Sequence, residues 1–203
     1  MMGLPAGTSG GRHNAWGTRN RLLWLGDTFI ELVTVFDQRL AERSWLGRAT
    51  LAALVDAPAA TCWAFSTDDI DLDRSEMNVA GASLAPATNG ERRRLDGEVA
   101  RWRLSLPAEV SLGRPFLIEH NVSTAEWTTD ERSIRAATPA RVLGLALPVE
   151  AIEGLPDAGE GVWFGEQVVG LAGPDADRPT VRIGGLAGGG TAADALGCRW
   201  LLD

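Results

Sequence analysis

The chain of 203 residues contains no lysine and no tyrosine, and it has only two cysteines and two histidines. All 19 basic residues are therefore arginine. The absence of lysine excludes a Schiff-base lysine and the Gly-Lys pair of a phosphate-binding loop. The absence of tyrosine excludes a phenol as a catalytic acid or base. The histidines, His13 and His120, lack the HxxxH spacing of a helix-borne zinc site.

Further absences bear on where the protein works. Cys62 and Cys198 are far apart and form no CxxC motif, which favours a reducing compartment. No apolar run reaches the roughly 18 residues that a membrane span needs. The first residues lack the basic and apolar regions of a signal peptide. We therefore predict a cytoplasmic protein that has no membrane partner.

The composition is that of a globular protein. Hydrophobic residues make up 45% of the chain and charged residues 23%, both close to the globular average. A chain of this length buries enough surface to fold without disulfides or metals. The formal net charge of −8 argues against a nucleic-acid partner bound by bulk electrostatics.

Hydrophobic patterning predicts many short strands and few helices. The clearest strand covers residues 28–35, and it forms a hairpin with residues 21–25 through the turn pair Gly26-Asp27. The glycine-rich start is predicted to be a loop, and residues 123–139 a polar connection. Helices are predicted at 39–55 and 68–79, and further strands at 61–67, 99–106, 115–122, 141–149, 161–171, 179–183 and 195–203.

Glu31 and Glu119 are the candidate catalytic residues, because each interrupts an otherwise apolar strand. An ionised carboxylate in such surroundings costs several kcal/mol unless it is paired, hydrogen-bonded or bound to a metal. The partner of each carboxylate is therefore either an arginine or backbone amides, or else a metal ion or a substrate. Desolvation would raise the pKa of such a carboxyl group, as suits a general base.

Aromatic and basic residues supply the candidate substrate-binding set. Tryptophans either line an apolar pocket or pack in the core. The arginines near residues 92–103 either form a solvated hairpin or clamp an anion, since guanidinium groups bind carboxylates in a fork. Cys62 either packs as a small hydrophobe or acts as a ligand. The predicted substrate-binding residues are His13, Trp16, Asn20, Trp63, Arg101 and Arg103.

The stretch GRHNAWGTRNRLLWLGDTFIELVTV, residues 11–35, resembles the signature of the glyoxalase-like domain of the vicinal oxygen chelate superfamily. Residues 67–71 (TDDID) are similar to the strand-to-helix junction that opens the second module of that superfamily. The stretches VARWRLSLP and RPFLIEH resemble the closing strands of the same module. The resemblance covers residues 11–121.

The resemblance implies an α+β fold in which paired βαβββ modules form an open, cupped mixed sheet with a pocket inside the cup. It implies a small oxygen-rich ligand and lyase, isomerase or dioxygenase chemistry. It also implies that Glu31, Glu119 and Cys62 bind a divalent metal ion. The expected units are an incomplete first module at 1–36, a connecting helix at 37–60, a second module at 61–123 and a partial β-rich module at 137–203.

The first module lacks its opening strand and helix in this comparison, which leaves one sheet edge unpaired. We expect that edge to be covered either by residues 141–149 or by a second copy of the chain in a homodimer. Three functions stay open: a glyoxalase-like enzyme, a metal-free small-molecule binder, and a catalytically inactive dimerisation domain.

Overall fold

A computed structural model gives the fold of most of the chain. It describes residues 7–26, 28–55, 62–111, 113–120, 127–147, 162–164, 167–171, 180–186, 191–195 and 198–202. No helix in this described part is long and apolar enough to cross a membrane.

Seven strands form the first sheet and six form the second. The first sheet contains β1 (Thr8–His13), β2 (Thr18–Leu25), β3 (Thr28–Val35), β4 (Trp63–Ser66), β5 (Thr88–Arg93), β6 (Val99–Ser105) and β7 (Pro115–His120). The second contains β8 (Arg141–Leu147), β9 (Val162–Phe164), β10 (Gln167–Leu171), β11 (Thr180–Gly184), β12 (Thr191–Ala195) and β13 (Cys198–Leu202). The helices are α1 (Gln38–Ala41), α2 (Trp45–Val55), α3 (Ile70–Val79) and α4 (Thr129–Ala137), with a 3-10 turn at Asn14–Trp16.

The first sheet has the strand order β3-β2-β1-β5-β6-β7-β4. Neighbouring strands are antiparallel except for β4, which runs parallel to β7. The strand order contains two similar groups of three antiparallel strands, β1-β2-β3 and β5-β6-β7. The two groups are joined by the pairing of β1 with β5. This is a mixed α+β fold with a curled, open sheet, which confirms the predicted fold class.

The hairpin of β2 and β3 is confirmed, with eight residue pairs from Thr18–Val35 to Leu25–Thr28. The prediction of a loop before it was wrong, because Thr8–His13 forms β1. Its glycines are accommodated by a bulge between Ser9 and Gly11, where Gly11 adopts a φ of +145° that other residues rarely adopt.

The edge strand β3 pairs with β2, and no other strand in the described ranges lies beside it. The expectation that residues 141–149 cover this edge was wrong. Residues 141–147 form β8, which lies between β10 and β11 in the second sheet, and residues 148–149 lie outside the described part of the chain. Leu147 of β8 is fully buried against the core around Phe65 and Leu117. Pairing of a second copy at β3 stays a prediction.

Helix α4 lies where a polar connection was expected. Thr128 accepts a hydrogen bond from the Glu131 amide, and the Glu131 carboxylate accepts one from the Thr128 amide. The sequence motif of this reciprocal capping box is Thr-x-x-Glu. The hydrophobic pattern did not predict the helix, because the segment contains few apolar residues.

Two apolar clusters hold the layers together. One packs α3 against the first sheet through Phe65, Ile70, Met77 and Leu117. The other joins the two sheets and contains Leu25, Ala140, Val181, Ile183 and Cys198. Trp63 contacts both clusters. Burial of about 25 cal/mol per Å² of apolar surface makes such contacts the main stabilising term of the fold.

Candidate functional site

Strand register divides the side chains of the first sheet between two faces, because successive residues of a strand point to opposite sides. We call one the aromatic face. Following the pairs from β3 to β7, it carries His13, Thr18, Asn20, Leu22, Trp24, Phe29, Glu31, Arg92, Trp102 and His120. We call the other the helical face, because α3 packs on it. It carries Arg12, Arg19, Arg21, Arg93, Arg101, Arg103, Leu117 and Glu119.

The two candidate catalytic carboxylates lie on opposite faces. Glu31 pairs with Leu22 and lies on the aromatic face. Glu119 pairs with Arg103 and lies on the helical face. There its carboxylate accepts a hydrogen bond of 3.0 Å from the Ile70 amide and lies 3.5 Å from Arg103 Nη1. Glu119 therefore holds the first turn of α3, and the expectation that both carboxylates share one hollow was wrong.

The prediction for β7 is displaced by one residue, since the neighbour of Glu119 and not Glu119 itself lies on the aromatic face. A shift of one position moves a strand residue to the other face. The residue of β7 that carries chemistry on the aromatic face is His120, which lies directly across from Trp102. Alternation along PFLIEH was visible in the sequence, but the choice between its two faces depends on pairing with β6.

Glu31 is held by Asn20. The Asn20 amide donates a hydrogen bond from Nδ2 to Glu31 Oε1 at 2.5 Å. Asn20 is buried, whereas Glu31 is exposed. A side chain on Gly10 would overlap the Asn20 amide, so the glycine at this position leaves the space that the amide occupies. The Oδ1 atom of Asn20 is buried and accepts no hydrogen bond from the described residues.

His13 is almost completely buried, with 4% of its surface exposed. Its Nδ1 lies 3.0 Å from the Thr18 hydroxyl oxygen, and its ring centre lies 5.3 Å from that of Trp16 and 6.0 Å from that of Trp102. Burial, helped by the positive charge of Arg92, lowers the pKa of His13 to about 4. The imidazole is therefore neutral near pH 7, although the sequence suggested an exposed loop.

A second aromatic group lies on the same face. The ring centre of Trp127 is 4.7 Å from that of Trp24 and 5.3 Å from that of Phe29, both in edge-on contact. The Arg92 guanidinium lies 4.8 Å above the Trp127 ring and donates to the Gly10 carbonyl. Arg92 thus connects the Trp24–Phe29–Trp127 group to the His13–Trp16–Trp102 group.

The remaining predicted binding residues lie elsewhere. Trp63 packs between the core clusters, on the helical face. Arg103 Nη2 lies 2.7 Å from Asp71 Oδ2, and Arg101 Nε lies 3.5 Å from Glu91 Oε2. The structure therefore brings His13, Trp16 and Asn20 together on the aromatic face and places Trp63, Arg101 and Arg103 on the other side of the sheet.

The predicted metal ligands are not brought together. Glu31 lies on the edge strand β3, and Cys62 precedes β4 at the opposite edge of the sheet order. Glu119 faces away from Glu31. Within the described residues no group of three or more His, Cys, Asp and Glu side chains is placed to hold a metal ion. This donor set does not fit the metal that the resemblance implies.

Three residues of the aromatic face give only a weak signal in the sequence. Arg92 stands in a run of three arginines, yet alternation along β5 buries it beside Gly90 while Arg93 is exposed. His120 follows Glu119 directly, and only the pairing with β6 shows that it is the one on this face. Trp127 precedes α4 and reaches the face from outside the sheet, so strand alternation provided no signal for it.

A family model described as "Glyoxalase-like domain" matches residues 2–149. The chain belongs to this family. The match spans both halves of the first sheet, including every described residue of the aromatic face. The curled sheet agrees with the vicinal oxygen chelate fold.

A solved structure supports the same fold. The chain is similar to a crystal structure of a hypothetical protein from Staphylococcus aureus, with a TM-score of 0.64 and 12% sequence identity. The alignment covers 96% of this chain and 88% of that chain. At this identity the likeness shows the fold alone. No curated protein matches the sequence.

Proposed function

We propose that this glyoxalase-like domain binds a small hydroxyl-bearing aromatic molecule on the aromatic face, and that it does so without a metal ion. The observation that carries the proposal is the hydrogen bond between Glu31 and Asn20. It joins an exposed carboxylate to a buried amide, and Glu31 lies two residues along β3 from Phe29 on the same face. A polar anchor beside apolar rings is the usual composition of a small-molecule site.

The polar groups at this point set the chemical class of the ligand. Glu31 is exposed and is a hydrogen-bond acceptor when ionised. It favours a ligand that donates, such as a phenol or a vicinal diol, over one that carries a carboxylate. The half-buried rings of Phe29 and Trp127, which pack on the buried Trp24, favour an aromatic body.

The donor geometry favours binding over metal-assisted chemistry. A divalent ion needs several oxygen or nitrogen ligands around one point. Glu119 is engaged by the Ile70 amide and Arg103 on the far face. Glu31 is thus separated from the other carboxylate that the family resemblance would assign to the ion.

The test is a titration with catechol, followed by the quenching of tryptophan fluorescence. We expect saturable binding of catechol, and binding of benzoate at least about tenfold weaker, because its carboxylate is repelled by Glu31. A hydrogen bond to a charged group contributes about 1.5–3 kcal/mol. The Glu31→Gln variant should therefore weaken catechol binding by about tenfold or more.

The control is Glu91→Gln, which removes an exposed carboxylate from the helical face and should leave binding unchanged. Equal affinity of the wild type and Glu31→Gln for catechol would refute the proposal, as would preferential binding of benzoate. A Mn²⁺-dependent rise in the melting temperature that Glu31→Gln abolishes would show instead that Glu31 is a metal ligand.

A further inference from the structure

A row of exposed arginines crosses the helical face. Arg19 of β2 pairs directly with Arg12 of β1, and Arg12 pairs directly with Arg93 of β5. All three side chains are exposed, and Arg21 is exposed two residues further along β2 on the same face. We call Arg12, Arg19, Arg21 and Arg93 the arginine strip.

The strip is not neutralised within the described part of the chain. No ion pair within the described residues involves the strip. Arg12 lies 3.8 Å above the Phe36 ring, and Arg93 donates to the Gly97 carbonyl. Like charges directly across neighbouring strands destabilise a sheet, so an anionic group that binds on the strip would relieve this repulsion.

The complementary charge lies on the same face of the same chain. Helix α3 packs over β6 and β7, beside the strip, and opens with an acidic run. Asp68 and Glu76 are exposed and form no ion pair within the described residues. Leu72, also exposed at 54%, offers an apolar contact for arginine side-chain stems.

We propose that two copies of this chain associate through the helical face, with α3 of each copy lying on the arginine strip of the other. A face that is basic on one half and acidic on the other becomes self-complementary under a two-fold rotation. Each copy then supplies the carboxylates that the strip of the other lacks. This contact is independent of the ligand proposed for the aromatic face.

The first measurement is sedimentation equilibrium of the full chain at 50 mM and 500 mM NaCl. Because exposed charges are screened within about a nanometre at physiological ionic strength, we expect the dimer Kd to rise at least about tenfold at the higher salt. A chain that stays monomeric at both salts and binds inorganic polyphosphate would show that the strip serves another anion, and would overturn the proposal.

The decisive measurement uses charge reversal. One double variant is Arg12→Glu with Arg19→Glu, and the other is Asp68→Arg with Glu76→Arg. Each alone should be monomeric, with a dimer Kd at least about a hundredfold above that of the wild type, because like charges then face each other. An equimolar mixture of the two should form a heterodimer, since both contacts are then complementary again.

The control is Arg39→Glu with Arg48→Glu, which reverses two exposed arginines on α1 and α2 and should dimerise as the wild type does. Far-UV circular dichroism checks that all variants are folded. Failure of the mixture to associate would overturn the proposal. So would a dimer that persists in the reversed variants and in high salt, since the copies would then meet elsewhere, as at the edge of β3.

Discussion

The two faces of the first sheet use the same residue types in opposite ways. On the aromatic face, His13 and Arg92 are buried among tryptophans and make short-range contacts to Thr18 and the Gly10 carbonyl. On the helical face, Arg12 and Arg101 are exposed, although each lies next to a buried residue in sequence. The chemical role of a residue in this sheet therefore depends on strand parity more than on residue type.

This difference explains why Glu31 and Glu119 have separate roles. Both are single glutamates in apolar strands, and both accept hydrogen bonds from nitrogen donors. The donor of one is a side chain at the aromatic face, and the donor of the other is the backbone at the start of a helix. A carboxylate near a helix N-terminus is stabilised by the unpaired amides there.

The largest contrast that we predict between the faces is in stability. Trp102 is 7% exposed and contacts His13 and Trp16, so Trp102→Ala should lower the free energy of unfolding by about 3–5 kcal/mol. Its neighbour Arg101 is exposed, and Arg101→Ala should change it by less than about 0.5 kcal/mol. Urea denaturation measures both, and similar losses for the two variants would contradict the assignment of faces.

The second prediction concerns pH. The pKa of His13 is about 4 in the folded chain against 6.5 for the free side chain, so the unfolded chain binds more protons between these values. The stabilising contribution is complete above pH 6.5 and is lost as the pH falls to 4. By linkage the loss is on the order of 3 kcal/mol.

Urea denaturation across pH 4 to 7.5 measures this slope, and His13→Asn should flatten it. Because carboxyl side chains of proteins in general have pKa values near 4, the informative quantity is the difference between the wild type and the variant. An unchanged slope in His13→Asn would mean that His13 is accessible to water and protonates freely.

Part of the fold was predictable from the sequence because its signals are local. The β2–β3 hairpin, α3 and the family were readable because TFIELVTV, the Asp-rich helix start and the Gly26 turn are local signals. Strand β1 was missed because its glycines suggest a loop, and its pairing with β2 and β5 is non-local. A local sequence pattern does not indicate which strand a segment pairs with.

The residues of the aromatic face were also predictable only where the signal is local. Glu31, Asn20 and His13 fall within the family signature, whereas Glu119 was placed on the wrong face because its register with β6 was unknown. Trp127 comes from a connection 92 residues beyond Val35, and only packing shows that it reaches Trp24 and Phe29.

The third prediction compares the two glutamates directly. Glu119→Gln weakens a charge-assisted bond to the Ile70 amide and the contact with Arg103, and should lower the free energy of unfolding by about 1–2 kcal/mol. Glu31 is exposed, and Glu31→Gln should change it by about 0.5 kcal/mol or less. Thermal unfolding at neutral pH distinguishes them, and the reverse order would contradict the structural role of Glu119 and the binding role of Glu31.

The smallest effect expected concerns the two thiols. Cys198 is 1% exposed in the contact between the sheets, and burial raises its pKa to about 11, so it should resist alkylation in the folded chain. Cys62 is half-buried and should react first. Mass spectrometry after brief iodoacetamide treatment should find a single adduct at Cys62, and early labelling of Cys198 would show that the second sheet opens readily.

The most direct test of the ligand site is a proton–nitrogen NMR spectrum of the tryptophan indole N–H groups during a catechol titration, with signals assigned by Trp→Phe variants. The aromatic-face site predicts that the Trp127 signal shifts most, because its half-buried ring lies beside Phe29, and that the signal of the buried Trp24 shifts with it through their edge-on contact. Trp63, on the other face, should stay unchanged. Shifts confined to Trp63, or no shift of Trp24 at saturating catechol, would contradict binding at the aromatic face.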